Sequence, residues 1–222
     1  MTVKDKSPKK ITAKPFVKWA GGKGALVELL SAHLPVDFYD KKKVTYIEPF
    51  VGGGAMLFYM LTHFSNIHRV IINDLNEDLI LCYQLIKNNP QLLIEHLKKI
   101  ENEYFQLQTM DEKSIYYYHM RDKYNSIIPK VEERAACFIF LNKTCFNGLY
   151  RVNTNGKFNV PFGKNQKPNI CDEVLIMIDH KLLKKVDIYT GNYSIILKHL
   201  GKDYNYIYID PPYRPLSGTA YF

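Results

Sequence analysis

Residues 44–64 read VTYIEPFVGGGAMLFYMLTHF, and the change of pattern inside this stretch decides the fold. Val44, Thr45, Tyr46 and Ile47 are β-branched or aromatic, the composition of a short buried strand that closes on Glu48. Residues 49–54, PFVGGG, predict a tight turn, and the apolar run 55–64 predicts a helix packed behind it. Working outward, RVIIN at 69–73 predicts a second strand that ends at Asp74. Residues 76–87 follow as a helix with Leu79, Ile80, Tyr83 and Ile86 on one face. Strand, glycine turn, helix, strand, acid and helix in this order open a parallel α/β sheet.

The rhythm then breaks. Residues 90–140 give long helical segments and no convincing strand, and Gly/Asn punctuation follows at 147–163. Its core, LYRVNTNGKFNV at 149–160, predicts two short strands around the turn NTNG. The α/β pattern resumes with VDIYTG at 186–191, a helix over 192–200 and a strand over 204–210. The fold class is therefore α/β, a Rossmann-like sheet interrupted by a mainly helical insertion that carries a β-hairpin. One domain is built from 11–86 and 168–222, and the inserted domain covers 87–167. Internal repeats and low-complexity stretches are absent.

Composition narrows the function. The chain has 222 residues, 46% hydrophobic and 23% charged, which excludes disordered and fibrous classes. No run of about 18 uncharged apolar residues occurs, so no membrane span is expected. The N-terminus is basic, but no apolar stretch of signal-peptide type follows it. Cys82, Cys137, Cys145 and Cys171 have no metal-binding spacing and read as reduced thiols, so no metal is expected. The net charge of +8 is unevenly placed. Residues 87–167 carry 13 basic and 8 acidic side chains, whereas residues 168–222 carry 6 of each. Between Glu133 and Asp172 no acid occurs over 38 residues, which hold six basic residues, six aromatics and seven asparagines. That run suits phosphate neutralisation and base-edge reading, or else a solvated basic face.

Four motifs can carry chemistry. The turn at 48–54 lets a ligand approach the backbone, although it lacks the GxGxxG spacing of a dinucleotide dehydrogenase. Asp74, about 20 residues past the turn, can accept from ribose hydroxyls or cap the next helix. The segment KWAGGK at 18–23 holds the only tryptophan, and composition does not decide between an anchoring and a binding role. Asp210-Pro211-Pro212-Tyr213 follows the strand YIYI. The prolines stiffen the backbone and remove two N–H donors, leaving acceptors beside an aromatic ring. Such a site suits an amino group on a flat ring, or else merely terminates a strand.

In this order, KWAGGK, EPFVGGG, IINDLN, LNKTCFNGLYRVNTNGKFNVPFG and DPPY resemble the Dam-like (D12 class, alpha group) DNA adenine-N6 methyltransferases. The resemblance runs from about residue 14 to the last residue. It implies transfer of a methyl group from S-adenosylmethionine to N6 of adenine in double-stranded DNA, with the base flipped out. By matching motifs, Trp19, Lys23, Phe50, Gly52, Gly54 and Asp74 are cofactor contacts. Asn192 and Tyr193 stand where the family often has an acid–aromatic pair beside the cofactor adenine. Asp210, Pro211, Pro212 and Tyr213 form the catalytic motif, with Asp210 between cofactor and target amine and Tyr213 stacked on the flipped base.

The DNA contacts implied are Lys18, Phe146, Asn147, Leu149, Arg151, Pro161 and Lys164. Asn165 departs from the family's usual tyrosine, and Lys164 replaces its usual arginine. GATC is the expected site. A cytosine-N4 methyltransferase would share DPPY, but the block RVNTNGKFNVPFG favours adenine. The expected setting is a cytoplasmic monomer of a prokaryote or phage, with a restriction endonuclease acting on the same site as a further partner. Family members continue past DPPY through three more strands, so the C-terminal strands of the sheet are expected to be missing. That expectation keeps a second class open, a catalytically inactive DNA-binding fragment.

Overall fold

A computed structural model describes residues 12–126 and 130–212 of the chain. Four parallel strands form one sheet in the order β3-β2-β1-β4: β1 (Val44–Glu48), β2 (Ile67–Asp74), β3 (Val186–Thr190) and β4 (Tyr204–Ile207). A short α1 (Val27–Ser31) precedes the sheet, and α2 (Ala55–His63) and α3 (Glu77–Asn88) connect its strands. The helices α4 (Pro90–Gln106), α5 (Met110–Tyr124) and α6 (Val131–Thr144) follow, and α7 (Glu173–Leu183) leads back to β3.

Alternation along the strands sorts the side chains. Val44 and Tyr46 of β1 and Val70 and Ile72 of β2 join the main core, while Ile47 and Ile71 face the other side and pack on Ile196. The main core runs without a break from the sheet through Leu79 and Tyr83 of α3 to Leu97 and Tyr104 of α4 and Phe140 of α6. Among the described residues no helix is long and apolar enough to cross a membrane.

Several expectations change. The hairpin over 149–160 is a loop closed by one antiparallel bridge, Val152 to Phe158. On either side of that bridge Asn153 N–H donates to the Lys157 carbonyl at 2.8 Å and Asn159 N–H to the Arg151 carbonyl at 3.1 Å, and the Asn153 side chain accepts from the backbone N–H of Asn155 and Lys157, so backbone and side chain together hold a minimal hairpin. The helix expected over 192–200 is present as a 3-10 helix, Tyr193–His199. The helix α7 has no counterpart in the expectations. Asp172 caps it by accepting from Leu175 N–H, and Leu175, Ile176, Asp179 and Leu183 are buried on one face. β4 lies at the end of the strand order, with Ile207 and Ile209 exposed.

A polar clamp joins the sheet side to the inserted helices. Asp78, in the first turn of α3, accepts from Arg134 Nε and Nη2 at 2.5 and 2.8 Å and from the Tyr124 hydroxyl. The guanidinium also lies 4.7 Å from the Tyr124 ring centroid. Removing the arginine leaves a largely buried carboxylate short of its partner. Arg134→Ala is expected to lower unfolding free energy by about 2 kcal/mol in urea denaturation; an unchanged midpoint would show that the clamp contributes nothing.

Candidate active site

The strand order reverses between β1 and β4, and an open parallel sheet forms its ligand crevice at such a point, outside the carboxyl ends of the strands. There the chain encloses a cavity of about 780 Å³. Its floor comes from the turn after β1, one wall from residues 74–78 after β2, and the opposite wall from Asp210, Pro211 and Pro212 after β4. Residues 15–24 and, from the inserted region, Tyr150 and Val152 complete it.

The glycine turn is shaped by close approach. Gly52 has φ +50°, and a Cβ there would lie 2.8 Å from Trp19 Cδ1. Gly54 has φ +77°, and a Cβ there would lie 2.4 Å from the Tyr83 hydroxyl oxygen. That hydroxyl donates to the Gly52 carbonyl at 3.0 Å. Trp19 therefore packs flat against the turn, and its other neighbour is the Tyr150 ring, stacked with centroids 5.5 Å apart. The tryptophan is an anchor between two segments, and it also lines the cavity.

Asp74 accepts from Gly52 N–H at 2.9 Å and from Asn76 N–H at 3.0 Å, one bond to each oxygen. Asn76, not Asp74, caps α3 by accepting from Leu79 N–H. Asp74 thus keeps one acceptor site on each oxygen for a ligand. Burial pushes its carboxyl above the ordinary carboxylate value, against the lowering effect of the backbone N–H bonds.

Across the cavity, Lys23 Nζ donates to Asp210 Oδ2 at 2.7 Å and Oδ1 at 3.0 Å, and also to the Gly21 carbonyl at 2.9 Å. Residues 187 positions apart therefore meet at the carboxyl end of β4. Among the described residues no cluster of His, Cys, Asp and Glu could hold a metal ion.

Comparison with known proteins accounts for this arrangement. The family model for the D12 class N6 adenine-specific DNA methyltransferase matches residues 19–222. The chain belongs to this family. It is 45% identical over 211 residues to the type II methyltransferase M.MjaIII of Methanocaldococcus jannaschii, covering 94% of this chain and 72% of that protein. It is 36% identical over 215 residues to the type II methyltransferase M1.LlaDCHI of Lactococcus lactis, covering 96% and 70%. It is 34% identical over 207 residues to the DNA adenine methylase of Escherichia coli K12, covering 93% and 67%. The chain is thus an adenine-N6 DNA methyltransferase, which decides against the cytosine-N4 alternative.

In this methyltransferase several of the residues expected at the DNA are joined by local contacts. Phe146 and Asn147 are exposed in the 3-10 turn Phe146–Gly148, where Asn147 has φ +54°. Phe146 N–H donates to the Pro161 carbonyl at 2.9 Å, and Gly163 N–H, just before Lys164, donates to Thr144 at 2.8 Å. Arg151 is exposed and oriented by Asn159, to which Nε donates at 2.8 Å and Nη2 at 3.2 Å. The Lys18 side chain lies against Gly148, and Leu149 packs on the core edge. Asn192 and Tyr193 do not line the cavity. Asn192 caps the 3-10 helix, and the Tyr193 ring leans on Phe50 at 5.4 Å. Tyr213 lies outside the described residues.

Glu48 has a site character that its place in the EPFVGGG motif does not convey. It is 2% exposed at the end of β1, accepts from the Tyr46 hydroxyl and lines the cavity. Burial pushes its carboxyl up from 4.5 to about 8, the Tyr46 bond works against that rise, and the nearby Asp210 charge adds to it. Tyr150, Val152 and Asp78 also line the cavity, and no local sequence signal places them there.

Two outcomes follow from this geometry. Gly52→Ala pushes a methyl into Trp19 at a positive φ, so S-adenosylmethionine affinity measured by calorimetry should fall by at least about tenfold while the fold persists. Glu48 holds its proton better in the native chain, so its contribution to stability is present below about 4.5 and lost as pH rises toward about 8. Glu48→Gln should therefore gain on the wild type across that window, by up to about 1.4 kcal/mol per pH unit. A pH-independent difference in urea denaturation would mean the native carboxyl is not perturbed.

Proposed function

We propose that the cavity takes S-adenosylmethionine and that adenine, flipped out of duplex DNA, meets it at Asp210 and Pro211, within a GATC site. One observation carries the reading: Asp210 and Asp74, after two different strands, line the same cavity as the glycine turn. When bound, the cofactor supplies a methyl group on a sulfonium. The cavity lies in the size range of small-molecule sites. A Cβ at Gly52 or Gly54 would push into the packed walls of the turn, and the remaining acceptor sites of Asp74 suit a pair of ribose hydroxyls. Trp19, Lys23 and Phe50 line the same space, with Asn192 and Tyr193 at its margin.

The chain's residues then handle the amine. The N6 lone pair of adenine is delocalised into the ring, so the nitrogen is a poor nucleophile. Acceptors at Asp210 and the Pro211 carbonyl draw its two N–H bonds and favour a more tetrahedral nitrogen, whose lone pair points at the methyl group. Neither Pro211 nor Pro212 has an N–H to compete for that lone pair. Lys23 uses one acceptor site on each Asp210 oxygen, which leaves capacity for the amine. Tyr213 completes the site by stacking on the base. Flipping costs a few kcal/mol, which contacts with the duplex must offset.

Residues 87–167 act as the target-recognition domain and residues 11–86 and 168–222 as the catalytic one. Phe146 and Asn147 intrude beside the target base, Lys18 contacts the first base pair, and Leu149, Arg151 and Pro161 touch later ones. Lys164 supplies positive charge beside them. The higher identity to a type II methyltransferase favours a modification role beside an endonuclease cutting the same site.

Transfer of tritiated methyl from S-adenosylmethionine to a GATC duplex tests the reading. Asp210→Ala should abolish labelling, and wild-type turnover by that variant would remove Asp210 from the reaction. Arg151→Ala should lower discrimination against one altered base pair by about 1–3 kcal/mol. Equal labelling of a GATC-free duplex by the wild type would refute the site.

A further inference from the structure

A buried asparagine ties the cofactor side of the molecule to the turn on the DNA side. Asn142, in the last turn of α6, is 3% exposed. Its Oδ1 accepts from the Lys18 backbone N–H at 2.8 Å, and its Nδ2 donates to the Lys18 carbonyl at 2.7 Å and the Gly148 carbonyl at 3.1 Å. Both amide donors are spent on backbone, one on each of two segments. Among the described residues no backbone-to-backbone hydrogen bond joins residues 12–24 to residues 141–151, so the side chain supplies that link.

Packing tightens the same joint. Gly148 has φ +64°, and a Cβ there would lie 2.4 Å from Lys18 Cδ and 2.5 Å from Lys18 Cβ. The lysine stem therefore lies directly under the Phe146–Gly148 turn. The next residue along the chain, Trp19, packs against Gly52 and Gly53 and stacks on Tyr150. A single peptide unit separates the wall of the cofactor cavity from the support of the exposed Phe146 and Asn147.

We propose that Asn142 is a positioning residue that sets the separation between the Phe146–Gly148 turn and the cofactor cavity, so that a base displaced by the turn arrives at Asp210. The inference rests on the assignment of that turn to the DNA side. Asn142 touches neither DNA nor cofactor. It acts through Lys18 and Gly148.

The test uses the whole chain and two duplexes of one sequence, one that the wild type methylates at its target adenine, for kcat, and one with 2-aminopurine in place of that adenine, for emission. In Asn142→Asp the Lys18 N–H keeps its acceptor while two carbonyls lose their donor. The expected result is a fall of at least about tenfold in kcat and a matching loss of 2-aminopurine emission, with S-adenosylmethionine Kd changed by less than about threefold. Gly148→Ala strains the same joint from the other side and should give the same signature, so it decides the matter if the first variant does not fold.

Wild-type emission and kcat in either folded variant would overturn the proposal. So would cofactor affinity that falls in step with kcat, or failure of both variants to fold, since each marks a general structural role. If the wild type itself gives no emission rise, the flipping assignment fails, and this inference with it.

Discussion

The turn after β1 exists only because Gly52 and Gly54 lack a Cβ, and most of the site depends on that constraint. At Gly52 the missing atom leaves room for the Trp19 ring, and at Gly54 for the Tyr83 hydroxyl. Once the turn is folded back, its groups become anchors. Gly52 N–H donates to Asp74, the Gly52 carbonyl accepts from Tyr83, and Val51 N–H donates to the Asn73 carbonyl. Asn73 in turn donates to the carbonyls of Pro49 and Gly191, which joins the ends of β1, β2 and β3. A side chain in the turn would therefore disturb Asp74 and the tryptophan wall together, although neither is its neighbour in sequence.

The cavity is lined by two carboxyls of opposite character, Glu48 and Asp210. Asp210 is partly open, and the Lys23 ammonium compensates its charge directly. Glu48 is sealed under the sheet edge with a tyrosine hydroxyl as its hydrogen-bonding partner, and burial holds it protonated near neutral pH. Two ionised carboxylates side by side would repel each other. Keeping one neutral lets the other remain the acceptor that an amine needs. The environment, not the residue type, divides the roles.

The sequence conveyed the parts of this design that are local. The strand before Glu48, the glycine turn and the acid at the end of β2 each have a composition that only one backbone shape accommodates. DPPY was legible for the same reason, because two prolines after an apolar strand can neither extend the ladder nor start a helix. What failed was set by side chains acting at short range against expectation. Asn153 Oδ1 took the Lys157 N–H that would have extended the hairpin ladder, and Asn192 capped a 3-10 helix after β3. The helix α7 has a cap signal in Asp172, but its apolar residues do not stand out beside the strand that follows. Contacts such as Trp19 with Tyr150 or Lys18 with Asn142 join residues more than a hundred positions apart, and no periodicity reports them.

Those long-range contacts change how the insertion should be understood. An inserted reading domain could be a flexible arm that finds its target and then swings over the catalytic sheet. Here three joints oppose such a swing. Asp78 clamps Arg134 and Tyr124, Trp19 stacks on Tyr150, and Asn142 holds Lys18 to Gly148. All three lie along one continuous apolar core rather than across a solvated hinge. A domain motion would have to break a largely buried ion pair, an aromatic stack and three hydrogen bonds together. Binding energy would then not be spent on bringing these segments together, since they are already joined. The cavity wall itself includes Tyr150 and Val152, one on each side of Arg151. The exposed Arg151 and two residues of the cavity wall are therefore consecutive in the chain, and a shift at either is passed directly to the other.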